Sequence, residues 1–189
     1  GVLLHQALLE AFRDSFPKGV VNTVYGEGEE VIAPLMKSGS IDVLAFIGSS
    51  RVADILKQQH PKPHRLRCVL GLEAKNAGIV LKDAELEHSV EECVLGALSY
   101  NGQRCTALKI LFVHEDVISE FLEKFSGAVD KLKAGMPWKE GISITPLPEP
   151  DKTDYLKDLI DDACAQGARI VNNCGGRIDH TFMSPAVVY

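Results

Sequence analysis

The chain has 189 residues, which is enough for one sizeable domain or for two small lobes that share a core. Hydrophobic residues make up 46% and charged residues 24%, a balance typical of soluble globular proteins and unlike that of disordered or fibrous ones. The 20 basic and 26 acidic residues give a net charge of −6 without any long block of one sign, so neither nucleic acid nor an anionic membrane is an expected partner. No apolar run approaches the roughly 20 residues of a membrane span, and the first residues lack the features of a signal peptide, so we expect a soluble, cytoplasmic protein.

The first part of the chain alternates helical and strand-like segments. Apolar residues at helical spacing predict an amphipathic helix at the start, which the Pro17-Lys-Gly19 turn ends. The predicted elements that follow are a short strand at 20–25, a helix at about 29–37 and a buried parallel strand at 42–48. Ser49 or Ser50 is placed to cap the helix that begins after this strand. Such alternation predicts an α/β layer with a parallel sheet.

The second part continues this pattern on both sides of a proline-rich loop. Asp83 is placed to cap a helix whose apolar face runs to about Tyr100, and Asn101-Gly102 ends it. The remaining predicted elements are a strand at 108–113, a helix at 117–132, an ordered surface loop at 136–150 and a strand that includes 185–189. The sequence therefore predicts that the α/β arrangement extends to the last residue of the chain.

The turn Phe46-Ile-Gly-Ser-Ser50 is the first candidate for a functional site. A helix N-terminus presents unpaired backbone N–H groups and a partial positive charge, so a small-residue turn there is suited to bind phosphate or pyrophosphate. One Gly-Ser-Ser sequence is not a glycine-rich fingerprint, and an ordinary capped helix explains the same residues. Both interpretations stay open at this point.

The run Asn101-Gly-Gln-Arg-Cys105-Thr-Ala is the second candidate. A cysteine in a glycine turn just past a helix end and beside an arginine lies where backbone amides and a cation favour the reactive thiolate. A small buried apolar residue is the alternative identity of any single cysteine. The other four cysteines show neither the spacing of a zinc site nor the density of a disulfide scaffold; they are Cys68, Cys93, Cys164 and Cys174.

The segment Gly71-Leu-Glu-Ala-Lys-Asn76 is the third candidate. If Glu73 is partly buried it is suited to serve as a general base, although a surface ion pair with the following lysine explains the same residues. The six histidines are scattered, and the prolines between His60 and His64 forbid a helix that would align them as ligands. We therefore expect no metal site.

Taken in order, these motifs resemble the aldehyde dehydrogenase superfamily over essentially the whole chain. The matching segments are Pro17-Lys-Gly-Val-Val-Asn22, Phe46-Ile-Gly-Ser49, Gly71-Leu-Glu-Ala-Lys-Asn76, Asp83-Ala-Glu-Leu86, Gly102-Gln-Arg-Cys105 and Phe182-Met-Ser-Pro-Ala-Val-Val188. The resemblance implies a partial aldehyde dehydrogenase fold of the α/β class, with the end of a Rossmann-like cofactor domain at 1–70 and part of the catalytic domain at 71–189. Within the superfamily, Gly-Gln-Arg-Cys-Thr-Ala is most similar to the NADP-dependent, non-phosphorylating glyceraldehyde-3-phosphate dehydrogenases.

The resemblance also implies roles for individual residues. Cys105 would attack the aldehyde, hydride transfer to the nicotinamide would leave a thioester, and Arg104 would hold a substrate phosphate. The residues expected to contact the cofactor, NADP or NAD, are Gly28, Phe46, Gly48, Ser49 and Val52. Gly71 stands where the family has its water-activating glutamate, so we expect the nearest carboxylate, Glu73, to bend back and act as the base.

The chain spans only part of the family's length and lacks the usual glutamate, so alternative functions stay open. Relative to the family, the chain begins late in the cofactor domain and stops partway through the catalytic domain, so we expect it alone to be inactive. We expect the full-length protein to be a homo-oligomer that acts on a small aldehyde. The alternatives are an acyl-transferring dehydrogenase, a cofactor-free cysteine hydrolase and a non-catalytic binding or structural module that keeps the fold. The hydrolase needs a positioned histidine base, and no histidine has an evident claim to that role.

Overall fold

The computed structural model describes residues 2–189, and its contacts divide the chain into two compact units, Gly1–Glu73 and Ala74–Tyr189. The division falls close to the boundary expected between residues 70 and 71. The assignment of the first unit to a cofactor domain and of the second to a catalytic domain stays a prediction. No helix within residues 2–189 is long and apolar enough to cross a membrane.

The first unit is built around two parallel strands. Its elements are α1 (Val2–Arg13), α2 (Gly28–Lys37), β1 (Val43–Gly48), α3 (Ser50–Gln59) and β2 (Arg67–Leu72). Met36 of α2, Leu44 of β1 and Leu56 of α3 form the core of this unit. The two strands pair in parallel, and Gly48 is opposite Leu72 at the end of the ladder. Because the carboxyl ends of parallel strands meet at the same sheet edge, the residues that follow β1 and β2 lie side by side.

Two predictions for the first unit need correction. Residues 20–25 form no strand; Val20 and Val24 are 60% and 65% exposed, and none of the strands found within residues 2–189 pairs with them. Apolar β-branched residues do not make a strand without a partner that completes their hydrogen bonds. β1 is parallel as predicted, but it is buried on one face only: Leu44 packs against α2 and α3, whereas Ile47 on the opposite face is 86% exposed.

The second unit packs two helices on a second parallel pair of strands. Its elements are β3 (Asn76–Val80), α4 (Leu86–Leu98), β4 (Leu108–Val113), α5 (Ile118–Asp130), α6 (Lys152–Ala165), β5 (Ile178–Asp179) and β6 (Phe182–Met183). β3 and β4 are parallel, and β5 and β6 form a short antiparallel pair. Phe121 and Phe125 stack at the centre of the core, with ring centroids 5.5 Å apart. The predicted strand at 108–113 and helix at 117–132 are confirmed as β4 and α5.

Both ends of α4 differ from the prediction. Glu85 caps the helix instead of Asp83, because its carboxylate accepts hydrogen bonds from the N–H groups of Glu87 and His88 at 3.2 and 2.6 Å. At the other end α4 stops at Leu98, because Ser99 has an extended ψ of 139°. A short 3-10 turn follows, in which Tyr100 and Asn101 have positive φ angles.

The end of the chain pairs as a bridge and not as a regular strand. Ile170 is opposite Val188 in an isolated antiparallel bridge, and the backbones of Arg169 and Tyr189 exchange hydrogen bonds of 2.7 and 2.9 Å. The strand predicted to include residues 185–189 is therefore present only as this short pairing.

Asp130, the last residue of α5, ties a distant loop to the end of that helix. Its carboxylate accepts hydrogen bonds from the Asn173 N–H at 2.9 Å and from the side-chain amides of Asn172 and Asn173 at 3.0 Å. These hydrogen bonds, led by that of the Asn173 N–H, hold the pKa of Asp130 below its ordinary value of 3.8. The ionised carboxylate therefore stabilises the folded loop.

Asp130→Asn is expected to lower the free energy of unfolding by about 1 kcal/mol near neutral pH, because the loop donors lose a charged acceptor whose interactions are partly screened by solvent. The folded-state pKa lies below the unfolded value, so this contribution is fully present above pH 3.8 and is lost as the pH falls through the folded pKa. Urea unfolding of both proteins at about pH 7 and about pH 3 measures the difference. A difference that does not shrink at the lower pH would contradict this role.

Candidate active site

The turn after β1 presents an exposed helix N-terminus. Ser49 is the N-cap of α3, and its Oγ accepts a hydrogen bond from the Val52 N–H at 3.3 Å. The predicted cap is thereby confirmed as the first of the two serines. Gly48 lies against the ring of Phe46, since a Cβ at Gly48 would come within 2.5 Å of the ring. A glycine thus keeps the strand-to-helix turn close to the sheet.

Glu73 binds to this helix N-terminus. β2 ends at Leu72, opposite Gly48, so the next residue reaches the first turn of α3. The Ser50 N–H donates to Oε2 of Glu73 at 2.7 Å, and the Ser50 hydroxyl donates to Oε1 at 2.5 Å. The carboxylate therefore lies where unpaired N–H groups and the helix dipole favour an anion. The sequence suggested Glu73 as a base or as half of a surface ion pair, and this contact was not foreseen.

Two further glycines of the first unit, Gly71 and Gly28, belong to the segments singled out in the sequence. Gly71 has space for a side chain, because an added Cβ would contact Ile47 at 3.4 Å, an ordinary van der Waals distance. Gly28 is exposed and opens α2. The cofactor candidates other than Gly28 thus share one strand-to-helix turn, and Glu73 joins them from the neighbouring strand.

The second unit presents Cys105 in a tight turn beyond α4. Tyr100, Asn101 and Gly102 have φ angles of 53°, 56° and 69°, which is the left-handed region. A Cβ on Gly102 would lie 2.7 Å from the carbonyl oxygen of Ala97, so only glycine fits there without a backbone shift. This run of left-handed residues turns the chain away from the helix and leaves Cys105 as an exposed free thiol.

Two asparagines hold the turn in place. The Asn101 amide donates to the carbonyl and hydroxyl oxygens of Thr145 at 3.1 and 2.9 Å, and its oxygen accepts from the Thr145 N–H at 2.9 Å. The Asn76 amide donates to the carbonyl oxygens of Cys105 at 2.6 Å and of Ala107 at 3.1 Å. The backbone of Cys105 is therefore fixed from β3. Neither contact follows from the sequence pattern.

Cationic side chains cluster beside Cys105. The Lys109 ammonium donates to the Gly102 carbonyl at 2.9 Å. Its pKa is lowered, chiefly by partial burial and then by repulsion from Lys75 and Arg104, while the charge of Cys105 acts in the opposite direction. The Arg104 guanidinium donates from Nη2 to the Ser99 hydroxyl at 2.5 Å and lies over the Tyr100 ring, 5.6 Å from its centroid. Positive charge of this kind favours an anionic ligand.

The structure thus places Glu73 and the cofactor candidates in the first unit, and Arg104 and Cys105 in the second. Within residues 2–189 no group of three or more histidine, cysteine, aspartate or glutamate side chains is arranged to hold a metal ion. The chemistry available to these residues is that of a thiol nucleophile, a carboxylate and an anion-binding helix N-terminus.

All 189 residues match the model of the aldehyde dehydrogenase family. The chain belongs to this family. It is 35% identical over 171 residues to the NADP-dependent glyceraldehyde-3-phosphate dehydrogenase of Streptococcus equinus, covering 90% of this chain and 34% of that protein. The expected family and α/β fold class are confirmed.

Solved structures of aldehyde dehydrogenases share the fold of this chain. Succinate-semialdehyde dehydrogenase from Burkholderia pseudomallei has a TM-score of 0.87 at 31% identity, covering 96% of this chain and 38% of that structure. NADP-dependent glyceraldehyde-3-phosphate dehydrogenase from Bacillus halodurans, complexed with NADP, has a TM-score of 0.86 at 30% identity, covering 96% and 37%. The aldehyde dehydrogenase chain spans about a third of the length of the curated relatives it matches.

Proposed function

We propose that the full-length protein oxidises an aldehyde to its carboxylic acid, with Cys105 as nucleophile and NADP or NAD as hydride acceptor. The observation that carries this proposal is the turn of Cys105: an exposed thiol, fixed through its own carbonyl by Asn76 and placed beside Lys109 and Arg104. A fixed, accessible cysteine in a cationic environment is suited to covalent catalysis. Membership of the aldehyde dehydrogenase family supports the same chemistry.

The reaction follows from the chemistry of the thiolate. Sγ of Cys105 bonds to the carbonyl carbon of the aldehyde and gives a thiohemiacetal on the cysteine. A nicotinamide cofactor, when bound, would supply the acceptor for the hydride that leaves this carbon, and a thioester would remain on Cys105. Glu73 takes a proton from water, the water oxygen attacks the thioester carbon, and the carbon–sulfur bond breaks to release the acid and restore the thiolate.

The cofactor residues are proposed to be Gly28, Phe46, Gly48, Ser49 and Val52. The N-terminus of α3 fits an anionic group, because its first turn already binds a carboxylate through a backbone N–H and a hydroxyl. A side chain at Gly48 would clash with the ring of Phe46, so a glycine is needed for this turn to keep its path. The NADP complex of the Bacillus halodurans relative makes NADP the first cofactor to test.

The substrate is proposed to be an anionic aldehyde, with glyceraldehyde 3-phosphate as the first choice. Lys109 interacts electrostatically with two other cations, Lys75 and Arg104, and also with Cys105. The Arg104 guanidinium has five N–H groups, and the Ser99 hydroxyl accepts a hydrogen bond from one of them. Arg104 therefore keeps further donors with which to bind a phosphate. The relative from Streptococcus equinus is named for this substrate.

Arg104→Gln is expected to raise KM for glyceraldehyde 3-phosphate at least about tenfold and to change KM for unphosphorylated glyceraldehyde little, because only the first substrate loses a charge-assisted contact. Steady-state NADPH formation by the full-length protein, without added inorganic phosphate, measures both constants. Arg169→Gln is the matched control, since Arg169 also lies over a tyrosine ring at 5.6 Å. Equal effects on both substrates, or no NADPH formation by the unaltered protein, would count against the proposal.

The empty side-chain position at Gly71 favours a second candidate, acyl transfer. Without a base at that position, the thioester on Cys105 could pass to an acceptor such as a thiol in place of water. The two candidates differ only in the last step, so both need Cys105. Release of acid without an added acceptor supports hydrolysis, and strict dependence on the acceptor supports transfer.

A further inference from the structure

Glu73 occupies the helix turn that the proposed function assigns to the cofactor diphosphate. The Ser50 N–H and the Ser50 hydroxyl, 2.7 and 2.5 Å from the carboxylate oxygens, both donate to it. Within the same turn the Val52 N–H is already used by the Ser49 hydroxyl. A carboxylate and a phosphate compete for the same donors, because both are anions that bind unpaired N–H groups at a helix N-terminus.

We propose that Glu73 sets the affinity for the cofactor by holding this anion site until the diphosphate displaces it. The inference rests on the proposed function, since it assumes that the diphosphate binds at α3. The parallel register of β1 and β2 brings Glu73 close to Ser50. Gly48 is opposite Leu72 at the end of the ladder, so Glu73, which follows β2, lies beside the first turn of α3, which follows β1. The negative charge of Glu73 also repels a second anion, in addition to occupying the hydrogen-bond donors of Ser50.

Displacement of Glu73 would also make cofactor binding precede the action of the base. While its two oxygens are bonded to Ser50, the carboxylate is held at the first turn of α3 and must leave that turn to take a proton from water. Cofactor binding therefore releases the proposed base. Hydrolysis of the thioester is then restricted to a protein that already holds its cofactor.

Calorimetric titration of the full-length protein with NADP and with NAD, in the absence of aldehyde, tests the competition directly. Glu73→Gln is expected to lower the cofactor Kd about tenfold, because a neutral amide competes less well for the helix N-terminus and exerts no charge repulsion. Without cofactor, the same variant is expected to unfold at a lower temperature, because α3 loses a carboxylate at its first turn. A purely structural role would weaken stability without strengthening the binding of cofactor.

Glu85→Gln is the matched control. Glu85 also places a carboxylate on a helix N-terminus, that of α4, and accepts two backbone hydrogen bonds there. It lies outside the proposed cofactor residues. Its replacement is expected to lower the unfolding temperature and to leave the cofactor Kd unchanged.

The outcomes separate this inference from the proposed function. A cofactor Kd that is unchanged or higher in Glu73→Gln, measured beside an unaltered protein that binds NADP, overturns the competition and leaves the dehydrogenase proposal standing. A protein that binds neither NADP nor NAD with or without the substitution overturns the proposed function and this inference together. A lower Kd in Glu73→Gln and an equal decrease in Glu85→Gln would also overturn it, since the effect would then be general.

Discussion

Replacing Cys105 with serine is expected to slow aldehyde oxidation by at least about a thousandfold, because a serine hydroxyl does not ionise near neutral pH and is a far weaker nucleophile than a thiolate. Steady-state NADPH formation by the full-length protein measures the loss. Cys105 is an exposed thiol, and Asn76 fixes its backbone through a hydrogen bond to its carbonyl oxygen. No larger effect is expected from any other single substitution in the chain.

Cys164→Ser is the matched control for that experiment. Cys164 is also an exposed free thiol, but it lies on α6, outside the proposed site, so its replacement is expected to leave the rate unchanged. Thermal unfolding of both variants separates a loss of chemistry from a loss of structure. Substantial activity in Cys105→Ser would exclude this cysteine as the nucleophile.

Glu73→Gln is expected to lower the steady-state rate by about a hundredfold or more, which is the usual contribution of a general base. The first turnover is expected to stay intact, because the base acts only in the hydrolysis of the thioester. Stopped-flow measurement of NADPH formation is expected to show a burst followed by a slow steady phase. The burst reports hydride transfer from the carbon bound to Cys105, which precedes the action of the base. An unchanged steady rate would rule out Glu73 as the base.

A second substitution tests whether the position of the carboxylate matters. The family resemblance places the usual glutamate at Gly71, and this position has room for a side chain at ordinary contact distance from Ile47. Adding Gly71→Glu to Glu73→Gln is expected to restore part of the steady rate. Recovery only on addition of a thiol acceptor would favour the acyl-transferring alternative.

The sequence predicted the elements whose signals are local. β1, β4 and α5 have apolar patterns within their own residues, and the Ser49 cap lies next to the strand that it follows. The errors arose where a distant partner or the exact backbone path decides. Residues 20–25 have the composition of a strand but no partner within the described part of the chain. Asp83 and Glu85 are both acidic residues just before α4, and the sequence does not show which of them caps the helix.

The candidate site was predicted in its residue types but not in its contacts. Glu73 reaches Ser50 across 23 residues of sequence, and this meeting depends on the register of two parallel strands. Asn76 and Asn101 hold the Cys105 turn through partners 29 and 44 residues away. A linear pattern carries no information about such pairs, so the family resemblance suggested the nucleophile while the structure identified the residues that hold it.

Mass spectrometry of the peptide that carries Cys105 shows whether this cysteine forms the covalent acyl intermediate. Full-length Glu73→Gln is mixed with NADP and glyceraldehyde 3-phosphate and quenched in acid within the burst, when the thioester is expected to accumulate. We expect an added acyl group on Cys105 that depends on NADP and is absent when Cys105→Ser is introduced as well. NADPH formation without an adduct on Cys105, or an acyl group on a different residue, would contradict it.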